Sequence, residues 1–146
     1  MAKLDLEIQY ASRLPDIPEA SKFKRWVAAA LGRPAEITLR VVNQAEGRNL
    51  NSAFRGKDYA TNVLTFVYHE PGSPFLQGDL ILCAPVVARE AREQGKPIEH
   101  HYAHLTVHGV LHLAGMDHVR ARDAEKMEAL EVAILERLKV PNPYEL

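Results

Sequence analysis

At 146 residues the chain has the length of one ordinary domain and enough material for a buried core. Its 47% hydrophobic and 25% charged residues exclude a disordered or fibrous chain, and a formal net charge of −1 removes bulk basicity as a sign of nucleic-acid binding while leaving room for a local basic cleft. No run approaches the ~20 apolar residues of a membrane span, MAKLDLEIQYASR at the start lacks a signal-peptide core, and the single cysteine, Cys83, reads as a packed thiol in the run DLILCA, so a cytoplasmic protein with no membrane partner is expected.

In LDLEIQY, Leu4, Leu6, Ile8 and Tyr10 alternate with polar residues, the pattern of a half-buried strand. IPEASKFKRWVAAALG then sets Phe23, Trp26, Val27, Ala30 and Leu31 on one helical stripe, with Pro18 near its start and Gly32 after its end. ITLRVVN returns to strand. Asn43 is a suitable cap for a short helix from Gln44 to about Phe54, stopped by Gly56. Thr61–Tyr68 and Gly78–Ala84 are two further strands, followed by a helix near Pro85–Gln94 that Gly95 and Pro97 end. Another helix starts near Glu99, and a last one, from about Asp123 to Leu138, carries Met127, Leu130, Ile134 and Leu138 on one stripe. Strands come early among helices and helices dominate the end. The expectation is one α+β domain over residues 1–146, with a small mixed sheet packed by about five helices.

The stretch HGVLHLAGMDH, His108 to His118, carries the chemistry. His108 and His112, four apart on a helix, are anchored about 6 Å apart along the axis and face the same side, so they can share one ion. His104 lies on the same stripe, but about 12 Å from His112 along the axis. Metal–nitrogen bonds span only about 2 Å, so His104 is expected to pack or be solvated instead. The third ligand has to come from chain that has turned back. Gly115 suits such a turn, and His118 follows it. Three histidines with a fourth position left for water describe an open, catalytic zinc-type site. Asp117 beside the third ligand either orients a histidine or bound water, or caps the turn.

A zinc peptidase of the H-E-x-x-H type would carry a glutamate after the first histidine to shuttle the proton to the leaving amine; here the position is Gly109. Phosphodiester cleavage has other needs: an ion that acidifies water and polarises a phosphoryl oxygen, and a cation for the charge that builds on phosphorus. RNLNSAFRGKDYATNVLTF offers Arg48, Arg55 and Lys57 with no acid until Asp58. Arg55 and Lys57 flank Gly56, where a helix gives way to a loop, and all three cations are candidates for that charge.

The segments FRGKDYATNVLTF, GDLIL and HGVLHLAGMDH, in this order and spacing, resemble the YbeY family of bacterial endoribonucleases, and EKMEALEVAIL in the last helix is similar too. The resemblance covers roughly Ile37 to Leu138 and implies a metal-dependent, single-strand-specific RNase. It further implies action in maturation of ribosomal RNA, notably the 3′ end of the small-subunit RNA, and in ribosome quality control. The implied fold is α+β with the metal in a cleft between helices and sheet. Carried over by motif, the ligands are His108, His112 and His118, and Arg55 is the other functional position; on that reading Arg55 stabilises the developing charge, with Lys57 and Arg48 as candidate guides for the RNA backbone. Asp79 matches a family residue without a derivable role, and Asn62 stands where the family often has aspartate.

Zinc, one ion per chain, is the expected cofactor, although nickel, cobalt and copper also accept imidazole. The expected partners are single-stranded RNA, ribosomal RNA or ribosomal particles and proteins associated with them, not DNA. Near-neutral charge fits a substrate presented by a ribosomal subunit. Two other readings stand beside this one: a metzincin-like metallohydrolase of peptides or amides, against which Gly109 argues, and a non-catalytic ribosome-assembly factor whose metal orders the C-terminal helices.

Overall fold

Four strands and five helices make up the computed structural model, which describes residues 3–116 and 120–145. The alternating segment forms β1 (Leu4–Ala11), and the Phe23–Trp26–Val27–Ala30 stripe becomes the buried face of α1 (Ala20–Ala30). β2 (Ala35–Val42) follows, then α2 (Gln44–Arg55), which ends as expected at Gly56, in the left-handed region at φ 68°. β3 (Val63–Val67) starts two residues later than the pattern predicts, and β4 (Leu76–Cys83) two residues earlier. α3 (Ala84–Gln94), α4 (Ile98–Leu113) and α5 (Ala121–Arg137) complete the chain.

The sheet order is β1-β2-β4-β3. β1 runs parallel to β2, with Leu4 opposite Ala35, and β2 parallel to β4, with Ala35 opposite Leu76. Parallel neighbours require crossovers. α1 supplies the first; α2 and β3 together make the second. β3 then lies antiparallel to β4, Val63 opposite Leu82, as an edge strand. The sheet is mixed, in accord with the sequence, while its order depends on long-range pairing that local pattern does not encode.

The main core lies on the face covered by α1 and α4, with α5 beyond. Phe23 meets Trp26 and Tyr102 edge-on, at ring-centroid distances of 5.5 and 5.9 Å, which ties α1 to α4. Such aromatic pairs contribute about 0.5–1.5 kcal/mol each beyond area burial. The opposite face carries a smaller cluster of Val42, Leu64, Ile81, Cys83 and Val86. Cys83 is buried there with its thiol pKa raised by desolvation, as a packed thiol should be. α4 is buried over most of its length and is the central helix of the molecule. No described helix is long and apolar enough to cross a membrane.

The stripe of α5 departs from expectation at one place. Leu130 is exposed, and the buried positions are Met127, Glu131, Ile134 and Leu135. A glutamate has taken a core position, and what it does there belongs to the site.

Candidate metal centre

His108 and His112 sit on the last two turns of α4 and open onto a cleft of about 460 Å³. Its other walls are Phe54 and Arg55, at the end of α2, and the edge-strand segment Thr61–Phe66. The structure therefore brings Arg55 and two of the three expected ligand histidines into one cavity from segments more than fifty residues apart. His118 and Asp117 lie outside the described residues. A larger cavity, about 730 Å³, lies between the α3–α4 junction and the C-terminal segment and shares Asn62 with the cleft. It contains neither Arg55 nor His108 and His112, so the smaller cavity is the better candidate for chemistry.

The outer nitrogens of the two histidines are held by hydrogen bonds. His112 Nδ1 donates to the Met116 carbonyl at 2.9 Å, and His108 Nδ1 lies 3.3 Å from Glu131 Oε1. A proton on Nδ1 leaves the lone pair on Nε2, the tautomer a metal-binding histidine needs; a carboxylate or carbonyl on the far nitrogen is the usual support for one. By this donor chemistry the pair fits a transition-metal ion. Among the described residues no cluster of three His, Cys, Asp or Glu side chains suited to a metal forms, so the fit rests on this pair.

Glu131 is fully buried and acts as the hub of this support. Its Oε1 accepts from His104 Nε2 at 2.9 Å and from the Tyr144 hydroxyl at 3.0 Å, besides its contact with His108. Burial alone would raise its pKa, but the hydrogen bonds from His104 and His108 outweigh that and hold it down to about 2. Desolvation lowers the His104 pKa, so a neutral imidazole donates to an ionised carboxylate. His104 thus packs behind the site, as its distance along the helix predicts. Glu131 itself escapes a reading of the apolar stripe; the available signal was its spacing, four after Met127 and three before Ile134.

The turn after α4 is built to bring the chain back. Gly115 has φ 100°, and Met116 N–H reaches the Leu111 carbonyl at 3.1 Å. Arg33 adds a cation at this helix C-terminus, donating to the Ala114 carbonyl at 2.7 Å and the Ser73 carbonyl at 2.9 Å. On the opposite wall, Arg40 pairs in bidentate fashion with Glu46, at 2.6 and 2.9 Å, which fastens the start of α2 to β2. Asn51 Nδ2 donates to the Tyr59 carbonyl at 2.7 Å and holds the loop that leads to β3.

Arg48 makes a bidentate pair with Asp58, at 2.9 and 3.0 Å, across that same loop. Neither Arg48 nor Lys57 lines the cleft; Arg55 does. Asp79 accepts the Tyr68 hydroxyl at 2.6 Å, and this bond pushes the tyrosine pKa up to about 12. Asp79 therefore ties the end of the edge-strand segment to β4. Asn62 Oδ1 accepts the Val63 N–H at 2.7 Å while its Nδ2 donates to Glu90 at 3.1 Å, and Glu90 also accepts from the buried His101 at 2.8 Å. An aspartate at position 62 would set a second carboxylate against Glu90.

Gly109 faces the sheet. A Cβ there would lie 3.0 Å from Leu80 Cδ2 and 3.5 Å from Val63 Cγ2. The position at which a zinc peptidase carries its glutamate is here the contact by which α4 lies down on β3 and β4.

A family model described as Endoribonuclease YbeY matches residues 9–139. The chain is 58% identical over 142 residues to the endoribonuclease YbeY of Thiobacillus denitrificans, covering 97% of each chain. It is 61% identical over 127 residues to that of Aromatoleum aromaticum, covering 87% of this chain and 81% of the other. With the one from Nitrosomonas europaea it shares 54% over 142 residues, covering 97% and 85%. Among solved structures, the solution structure of a Thermotoga maritima protein aligns with a TM-score of 0.57 at 24% identity, over 97% of this chain and 99% of that one, which shows a shared fold.

Proposed function

This chain belongs to the YbeY family of endoribonucleases, and from that membership we propose that it cuts single-stranded RNA in the cleft between α2, β3 and α4. The observation that carries this is the convergence of Arg55 with His108 and His112 in one cavity, two imidazoles having their outer nitrogens hydrogen-bonded. The biological substrate proposed is ribosomal RNA, at the 3′ end of the small-subunit RNA and in quality control of ribosomes. It is met in the cytoplasm on ribosomal particles, with proteins associated with them as partners.

His108, His112 and His118 would hold the ion, one per chain, for which zinc suits three neutral imidazoles. When bound, it supplies water acidified toward neutral pH and Lewis-acid polarisation of a phosphoryl oxygen. Arg55, carried on the last turn of α2, stabilises the charge that builds on phosphorus with its planar fork of donors. Glu131 and the Met116 carbonyl keep both imidazoles in the ligating tautomer and orientation. Arg48 fixes the loop through Asp58, which answers its charge, and Lys57 is left as the guide for the RNA backbone.

The test is cleavage of a labelled RNA with one duplex and one single-stranded tail. Cutting confined to the tail, leaving no 2′,3′-cyclic phosphate and lost in Arg55→Ala, is the expected result. A cyclic phosphate would reject attack by water and favour the RNA 2′-hydroxyl. A second reading, peptide hydrolysis, draws on the edge strand β3 beside the histidines, whose outer side meets no further strand among the described residues and could take an extended peptide. Gly109, packed on Leu80, counts against it because no carboxylate stands in the peptidase position.

A further inference from the structure

Phe54 is the penultimate residue of α2, lines the cleft next to Arg55, and leaves 67% of its surface to solvent. An exposed phenylalanine has no polar group to satisfy water, so burial in a partner is the favourable outcome for it. The ring is not loose. It meets Phe66 of β3 with centroids 5.1 Å apart and planes at 72°, a contact that fixes its position while most of the ring stays open. A fixed, exposed aromatic beside a cation is the combination that single-stranded nucleic acids use: bases stack on the ring and the cation takes the backbone. Contacts to phosphate carry no information about the bases, so Arg55 does not by itself distinguish an unpaired strand from a duplex. A base within a duplex has both faces covered by its neighbours and offers none to a ring.

We propose that Phe54 is the stacking platform for an unpaired base flanking the phosphate that Arg55 holds, and is the residue through which this site selects single strands. The proposal rests on the reading of the cleft as an RNA-cutting site and deepens it. Phe54 reads the presence of a free base face, whatever the base, so it selects strandedness with little dependence on sequence.

The experiment compares the full-length, metal-loaded protein on two single-stranded RNAs, one intact and one abasic at either nucleotide flanking the mapped cut. Wild type is expected to cut abasic RNA with KM raised about 5- to 150-fold and kcat little changed. Phe54→Leu should carry the same penalty on intact RNA and suffer no more on abasic RNA, whereas Phe54→Trp should restore the preference for the intact strand. Equal cutting of both RNAs by wild type, or an undiminished abasic penalty in Phe54→Leu, overturns the proposal and leaves the RNase reading in place. A purely structural role for Phe54 would lower the thermal midpoint of Phe54→Leu without changing its abasic-to-intact ratio. If Phe54→Leu does not fold, wild type and Phe54→Trp on the two RNAs still decide. No cutting of either RNA by wild type would overturn the RNase reading itself, and this one with it.

Discussion

Gly78→Ala probes how closely α4 and the edge strand are fitted. A Cβ at residue 78 would stand 2.3 Å from Leu113 Cδ1, on the last turn of α4, and 2.3 Å from the Phe66 carbonyl oxygen on β3. Comfortable carbon–oxygen contact begins at about 3.3 Å, so the Phe66 carbonyl has to retreat by about 1 Å. Leu113 is fully buried, so its side chain cannot swing out into solvent. Overpacking of this kind costs about 1–3 kcal/mol, and two simultaneous clashes place it at the upper end. The stiffer unfolded chain returns about 0.4–1 kcal/mol, for a net loss of about 2 kcal/mol. In a chain of this length that lowers the thermal midpoint by about 4–8 °C. Because Thr65 and Phe66 line the cleft, a shift of about 1 Å there should also cost up to about 100-fold in kcat/KM. Thermal melts followed by circular dichroism, with RNA cleavage on the same samples, read both effects. Gly32→Ala is the control, since its new methyl group meets nothing within 4 Å. If Gly78→Ala melts within a degree of wild type and cuts RNA normally, the close approach of α4 and β3 to β4 is wrong.

Glu131→Leu takes the carboxylate acceptor from the largely buried His104, leaving it only the Tyr144 hydroxyl at 3.2 Å, which should cost about 1–3 kcal/mol, and should weaken zinc binding about 10- to 100-fold through His108; melts and competition with a zinc indicator measure the two losses. Gly109→Glu drives a carboxylate toward buried Leu80, so it should lower the thermal midpoint and create no cleavage of a denatured protein substrate, whereas protein cleavage appearing in this variant would revive the peptidase reading. The hydrogen bond from His101 holds the Glu90 carboxyl below its ordinary value of 4.5, despite partial burial. A depressed folded-state pKa contributes stability that is fully present above 4.5 and is lost as pH falls through the lower folded value, so melts between pH 7 and pH 3 should fall in wild type and flatten in that window in Glu90→Gln.

What the sequence made legible follows from the range of the physics involved. α2 starts after Asn43 and ends at the left-handed Gly56, where local signals put its ends, although the Asn43 side chain makes no cap hydrogen bond there. The helical pair His108 and His112 is set by a four-residue spacing, and the two side chains do open onto one cleft. The strand order, by contrast, depends on Ala35 finding both Leu4 and Leu76, pairings that no local pattern specifies. Arg48 reads from the sequence as a guide for the substrate backbone because charge alone is visible there; its bidentate partner Asp58 is ten residues away and comes into reach only through the fold. Glu131 was hidden for the converse reason, since a glutamate in a largely polar helix reads as surface until three donors converge on it. The YbeY resemblance, carried by three short segments, is the part that relatives across nearly the whole chain bear out.

The most direct test of the central claim is a titration of zinc into chelator-stripped protein while cleavage of the single-stranded RNA tail is followed. The account predicts no cutting by the stripped protein, a linear recovery that levels off at one ion per chain, and no recovery in His112→Ala. Full cutting without metal, or equal recovery in His112→Ala, would contradict it.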